Sequence, residues 1–100
     1  MTIFLFLVMA IGTISYSALA DEDYNAEQIR ELVKRGEILP LETILEKYQP
    51  MIQGRLLDLE VEREHGHIVY ELEFLKNNGE VHKLVINAAN GQLLKQEVDD

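Results

Sequence analysis

The fold is decided by residues 57–74, LDLEVEREHGHIVYELEF, in which apolar and polar residues alternate on both sides of a central His65-Gly66 pair. Leucine and valine alternate with acidic residues before the pair, and aromatic residues and leucine alternate with glutamates after it. This alternation is typical of two half-buried antiparallel strands, and a two-residue loop at His65-Gly66 places every large apolar side chain on one face. The predicted apolar pairs are Leu57 with Phe74, Leu59 with Leu72, and Val61 with Tyr70.

Two Asn-Gly pairs, at residues 78–79 and 90–91, mark the remaining reversals of the chain. A three-residue loop with a bulge at the first of them turns Leu84 and Ile86 toward the apolar face. A strict two-residue loop would turn Lys83 inward instead, so we reject it. A short fourth strand follows the second pair, and its pattern does not determine which of its residues point inward.

Two helices are predicted before the strands. Asn25 and Gln28 have the spacing of a capping box at the start of the first helix, and Gly36 ends it. The second helix lies between Pro40, in a first-turn position, and Pro50. The predicted fold is therefore α+β, with two N-terminal helices packed on one face of a four-stranded antiparallel meander sheet.

The first 20 residues differ in composition from the rest of the chain, because all 27 charged side chains (9 basic and 18 acidic) follow them. An apolar run over residues 3–14 and the sequence Ala18-Leu19-Ala20 predict a signal peptide over residues 1–20, cleaved after Ala20. No Lys or Arg precedes the run, and an uncleaved N-terminal membrane anchor is the alternative. We expect a single domain over residues 21–100, located in the periplasm or secreted.

The composition excludes several classes of function. A net charge of -9 argues against nucleic-acid binding, which needs clustered Lys and Arg. The absence of Cys removes disulfides, thiolate nucleophiles and Cys-ligated metal centres. Because the chain has no Ser-His-Asp grouping, phosphate-binding glycine loop or HExxH motif, we expect neither enzymatic activity nor a cofactor.

The hairpin register predicts a cluster of carboxylates on the face opposite the apolar one. It sets Glu60 opposite Glu71 and Asp58 opposite Glu73, and Glu62 extends the cluster. Such a face could receive a cationic partner surface or a loosely held divalent cation such as calcium. The alternative is a solvated face that resists aggregation.

The histidines are the other candidate ligands. His65 and His67, with Glu64 beside them, could form half of a metal site. The alternative is a polar hairpin tip, because two histidines on a turn without a buried third ligand bind metals weakly. His82 stands alone in a strand, where a structural or solvated role is expected.

Four segments carry a resemblance to a known family: residues 36–41 (GEILPL), 57–62 (LDLEVE), 70–75 (YELEFL) and 85–93 (VINAANGQL). Together they resemble a PepSY domain over about residues 26–97. The last segment is the most specific, since the family's strand usually ends in Val-x-Asp-Ala-x-Thr-Gly. Here Asn87 and Asn90 stand where Asp and Thr are usual.

The resemblance implies a small exported bacterial protein with a regulatory binding role, since some PepSY domains are thought to restrain peptidases. It brings no catalytic residue with it. The expected partner is an extracytoplasmic protein, a peptidase or a membrane sensor, bound through protein-protein contact. A weak divalent-metal sensor or carrier, using the acidic residues or the His65/His67 turn, is the alternative.

Overall fold

The computed structural model describes residues 22–99, which form two short helices and an antiparallel sheet. The α+β class and the order of two helices followed by a four-stranded meander are confirmed. The predicted signal peptide, residues 1–20, lies outside the described residues. Neither helix in the described part of the chain is long and apolar enough to cross a membrane. In chain order the elements are β1 (Glu22–Asp23), α1 (Ala26–Lys34), α2 (Leu41–Tyr48), β2 (Gly54–Glu64), β3 (His67–Lys76), β4 (Val81–Asn87) and β5 (Leu93–Asp99).

The ends of the helices follow the sequence signals. The Asn25 side chain accepts a hydrogen bond from the Gln28 amide at 2.8 Å, and the Gln28 side chain accepts one from the Asn25 amide at 2.9 Å. This reciprocal pair is the predicted capping box. Gly36 follows α1 with φ of 75°, and Pro40 immediately precedes α2.

The β2–β3 hairpin has the predicted two-residue loop. His65 and Gly66 have φ of 49° and 82°, and positive φ at both central residues is the signature of a type I′ turn. Glu64 faces His67 across the loop. The register continues as predicted, with Val61 opposite Tyr70 and Leu59 opposite Leu72.

The predicted pairing of Leu57 with Phe74 is wrong. The register shifts between Leu56 and Asp58, so that Leu56 faces Phe74 and Leu57 is the extra residue of a β-bulge. Leu57 is 41% exposed as a result. Asp58 lies beyond the bulge and still faces Glu73, so the acidic pairing is unaffected.

The β3–β4 hairpin has the predicted three-residue loop. The Lys76 amide donates to the Glu80 carbonyl at 2.8 Å, which leaves residues 77–79 in the loop. Leu84 therefore faces Leu72 on the apolar side of the sheet. A second bulge lies in β5, where residue 94 is the extra residue between two adjacent pairs of the ladder.

Both helices contribute to the same core as the sheet. Ile44 of α2 and Leu72 and Leu84 of the sheet are fully buried, and Leu32 of α1 is 7% exposed. We call the side of the sheet that enters this core the inner face, and the opposite side the outer face. The buried core residues are Leu32, Ile38, Ile44, Tyr48, Val61, Tyr70, Leu72, Phe74, Leu84, Ile86 and Ala88.

The helices are also joined to the turn between β4 and β5 by hydrogen bonds. The Gly91 carbonyl accepts from the Tyr48 hydroxyl at 2.5 Å and from Lys47 Nζ at 3.0 Å. The Leu39 amide, in the segment between the helices, donates to the Ala88 carbonyl at 2.8 Å. This turn therefore fixes the position of α2 over the sheet.

Candidate functional site

The predicted carboxylates lie together on the outer face, and we call this set of five residues the acidic face. Asp58 is opposite Glu73 and Glu60 is opposite Glu71, as the register predicted. Glu62 follows two residues along β2. Their role in binding stays a prediction.

The acidic face is only partly solvated. Asp58 is exposed, whereas Glu60, Glu62, Glu71 and Glu73 are half-buried. The Asp58 side chain also accepts a hydrogen bond from the Leu59 amide at 2.9 Å. Partial burial of like charges at close range disfavours their simultaneous ionisation.

Glu62 is the most perturbed of these carboxyls. Its partial burial raises its pKa to about 8, with further contributions from hydrogen bonds to the Glu71, Glu64 and Asp23 side chains and from the charge of Glu71. Burial also raises the pKa of Glu60, as do the charges of neighbouring acidic residues. At neutral pH Glu62 therefore holds a proton that it shares with its neighbours.

Two further carboxylates, not predicted as part of the acidic face, extend the cluster. Asp23 of β1 is opposite Glu62, and Glu64 continues the outward alternation of β2. Carboxylate oxygens of Asp23, Glu60 and Glu62 lie within 4.8 Å of one another, and so do those of Glu62, Glu64 and Glu71. The period-2 pattern could have included Glu64, but a two-residue strand has too little pattern to reveal Asp23.

The outer face also carries positive charges, namely Arg55 at the start of β2, opposite Leu75, and lysines on β4 and β5. Lys83 Nζ on β4 is 3.4 Å from a Glu71 carboxylate oxygen, and the charge of Glu71 raises the pKa of Lys83. Lys95 on β5 is opposite Val85. The outer face thus runs from a carboxylate-rich half on β2 and β3 to a half with mixed charges on β4 and β5.

The two candidate histidines lie at the β2–β3 loop. His65 and His67 are exposed and line a shallow pocket with Glu64, Val69 and Leu94. The structure therefore places both imidazoles near one carboxylate, as expected. Within residues 22–99, however, the groups of three side chains close enough to hold a metal ion contain carboxylates alone.

His82 has a structural position on the inner face. It is 7% exposed, and its ring stacks on Phe74 with centroids 5.7 Å apart. Its Nε2 lies 3.0 Å from a Glu80 carboxylate oxygen, and this contact lowers the pKa of Glu80. Its Nδ1 is buried with no hydrogen-bond partner among the described residues.

A small apolar patch adjoins the acidic face. Val69 and Val85 point outward, yet they are 0% and 5% exposed and are not part of the core between helices and sheet. Leu94, at the β5 bulge, lies beside them and is 47% exposed. The alternation of β3 had placed Val69 on the outer face with Glu71 and Glu73, but an apolar patch there was not predicted.

Fold and outer face together define a small two-layer α+β domain whose distinguishing surface is a half-buried group of carboxylates. The family model described as PepSY, "Peptidase propeptide and YPEB domain", matches residues 38–97, and the chain belongs to this family. The matched range holds α2 and nearly all of the β2–β5 meander. Comparisons with curated proteins and with solved structures found no match. PepSY domains are generally non-catalytic modules linked to peptidase propeptides or to regulation.

Proposed function

We propose that the protein is exported and acts outside the cytoplasm as a non-catalytic module that binds another protein and regulates it. The partner is a peptidase or the extracytoplasmic part of a membrane sensor, and it presents a cationic surface to the acidic face. Membership of a family described by peptidase propeptides supports the class of partner. The acidic face supports the chemistry of the contact.

The observation that carries this proposal is the crowding around Glu62. Glu62, Glu64 and Glu71 lie close enough to share a proton, and the pKa of Glu62 is raised to about 8. A Lys or Arg side chain arriving at this point would replace the shared proton and remove the repulsion between the carboxylates. Binding should therefore strengthen as the pH rises from 6 to 8.5, because a smaller fraction of the molecules then carries the shared proton that the partner must displace.

The proposal is tested by affinity capture from an extracytoplasmic fraction with mass spectrometric identification. We expect the wild-type protein to retain a defined partner and the Glu60→Lys/Glu71→Lys protein to lose it. The matched control is Glu27→Lys/Glu46→Lys, which makes the same change in net charge at exposed helix positions. Circular dichroism establishes that both variants are folded.

Salt and chelator separate the causes of binding. A contact between charged surfaces should weaken at high salt and be indifferent to a chelator. Partner binding that persists unchanged at high salt and in the acidic-face variant would contradict the proposal. Loss of binding in both double variants would also contradict it, because net charge rather than the acidic face would then be responsible.

A second candidate function is weak binding of a divalent cation, and the two groups of three carboxylates favour it. Oxygen ligands of this kind suit calcium. A cation that binds the folded state at 100 times its Kd would raise the free energy of unfolding by about 2.7 kcal/mol. Thermal unfolding with calcium, zinc and copper tests this, with Glu62→Gln and His65→Ala/His67→Ala to separate the carboxylates from the hairpin histidines. The absence of any shift with all three ions would rule it out.

Export rests on the predicted signal peptide and has its own test. Expression of the full chain in a bacterium, followed by fractionation and N-terminal sequencing, should recover a protein that begins at Asp21. Replacement of Ala18 by Asp should block cleavage, because the peptidase site requires small residues. An uncleaved wild-type protein retained in the membrane fraction would support the anchor instead.

A further inference from the structure

The edge strand β5 offers an interaction surface separate from the acidic face. Among residues 22–99 it is the last strand of the sheet and pairs with β4 along one side only. Beyond the bulge its ladder is regular from Lys95 to Asp99, and this segment contains neither proline nor glycine. The backbone groups of such an edge are available to pair with another strand.

Both faces of β5 leave room for an additional strand. Gln96 and Val98 point to the inner face, where Gln96 is exposed and Val98 is 50% exposed, so the helices do not cover this end of the sheet. On the outer face the side chains of Lys95 and Glu97 are 61% and 44% exposed. Lys95 Nζ lies 3.6 Å from a Glu97 carboxylate oxygen, so the two opposite charges project from the same face.

We propose that β5 pairs antiparallel with β5 of a second copy of this chain, across a two-fold axis at Gln96. Directly opposite residues of antiparallel strands lie on the same face of a sheet. Inner residues must therefore face inner residues, and only registers centred on a residue satisfy this condition. The charges along β5 then decide among the registers.

Only the register centred on Gln96 pairs opposite charges without opposing like ones. It sets Lys95 against Glu97 of the second copy, twice, because the axis repeats the contact, and the pairing covers residues 95–97 because the next residue, Leu94, is the bulge. A register centred on Lys95 or on Glu97 places that residue opposite itself. A register centred on Val98 places Glu97 opposite Asp99 of the second copy.

The same charges argue against pairing of β5 with the other edge of the sheet. That edge consists of β1 and of the part of β2 that β1 does not cover, and its outward positions include Asp23, Asp58 and Glu60, which would meet Glu97 as well as Lys95. That contact would also be head-to-tail and could extend into a filament, whereas the symmetric β5 contact closes after two copies. The occupant of this edge is therefore a second copy in the symmetric arrangement.

Engineered cysteines test the register directly, because the chain has no cysteine of its own. After expression of the full chain and mild oxidation, Gln96→Cys should form a disulfide-linked dimer, since directly opposite Cβ atoms are about 5 Å apart. Glu97→Cys should crosslink slowly, because in this register the two sulfurs are diagonal neighbours. Thr43→Cys, an exposed residue of α2, gives the background rate.

Charge exchange tests the energetic basis by sedimentation velocity over a range of concentrations. Lys95→Glu should raise the Kd of the dimer about tenfold, because two attractive pairs become repulsive. The exchanged variant Lys95→Glu/Glu97→Lys should restore the wild-type Kd to within about threefold, since the pairs are remade with reversed polarity.

Three results would overturn the proposal. A protein that is monomeric at every concentration leaves this edge free for an unrelated strand. Crosslinking of Gln96→Cys no faster than that of Thr43→Cys, or slower than that of Glu97→Cys, excludes the register. A dimer unaffected by Lys95→Glu forms through another surface. Each variant is first compared with the wild type by circular dichroism, so that loss of folding is recognised.

Discussion

Replacement of Glu62 by Gln should make the domain more stable at alkaline pH and leave it nearly unchanged at acidic pH. The folded state raises the pKa of Glu62 from the usual 4.5 to about 8. Between these values the folded protein holds a proton that the unfolded chain releases, so the free energy of unfolding falls as the pH rises through this window. Glutamine imitates the protonated carboxyl at every pH, and so it removes this loss.

The size of the effect follows from the same pair of values. At about 1.4 kcal/mol per pH unit, the interval from 4.5 to about 8 corresponds to an upper limit of about 5 kcal/mol. Glu62 is only half-buried at the surface of the sheet, so water and ions screen much of the electrostatic cost of ionising it. We expect a gain of about 1 to 2 kcal/mol at pH 8.5 and close to none at pH 5.

Urea denaturation followed by circular dichroism, at pH 5, 7 and 8.5, measures this difference. The control is Glu46→Gln, an exposed residue of α2 on the other layer of the fold, whose stability should follow that of the wild type at all three pH values. A gain from Glu62→Gln that is the same at pH 5 and pH 8.5 would refute the reasoning. The gain would then come from propensity or packing and not from a shared proton.

Three further substitutions test the packing, each by urea denaturation at one pH. Gly54→Ala should cost about 3 kcal/mol or more, because φ is 140° and an added Cβ would lie 1.9 Å from the Leu75 carbonyl oxygen. Tyr48→Phe should cost about 1 kcal/mol by removing the buried hydrogen bond to the Gly91 carbonyl. His82→Phe should be neutral or stabilising by up to about 1 kcal/mol, since it removes a buried nitrogen without a partner in the described residues.

Each of these has a comparison that could contradict it. Gly36 also has positive φ, but an added Cβ there meets nothing within 4 Å, so Gly36→Ala should cost only about 1 kcal/mol. Equal losses at Gly36 and Gly54 would contradict the steric argument. Lys47 is exposed, so Lys47→Met should cost less than Tyr48→Phe; the opposite order would be inconsistent with the role of the buried hydroxyl. For His82→Phe, a loss above about 1 kcal/mol would show that the Nε2 contact with Glu80 contributes more than the unpartnered Nδ1 costs.

Much of the fold could be predicted because apolar and polar residues alternate without interruption on both sides of the β2–β3 loop. From Asp58 to Phe74 a slip of one residue would bury the glutamates, so the register of this hairpin was determined by the sequence pattern. The failure at Leu57 has a local cause, since the chain has two adjacent leucines there and alternation cannot decide which one faces inward. The second bulge, at Leu94, also falls at a pair of adjacent leucines. In this protein a Leu-Leu pair in a strand therefore marks a bulge.

The site was predictable in position but not in strength. The predicted register alone brought Glu60 and Glu71 together. The alternation and the charges of the sequence do not show how far a side chain on the sheet surface is buried. The proton held by Glu62 depends on that depth and on Asp23, which reaches the cluster through a two-residue strand. Such a contact is made by tertiary structure and leaves no periodic signal in the sequence.

The turn that holds α2 in place also bears on what family membership can tell. The segment of residues 85–93 most resembles the PepSY pattern. It contains the Gly91 carbonyl, which accepts hydrogen bonds from both Tyr48 and Lys47. Its contacts join the two layers, and they would serve a domain with any partner equally well. The recognisable motif therefore reports how such domains are assembled, whereas differences in what they bind should be sought among the side chains of the outer face.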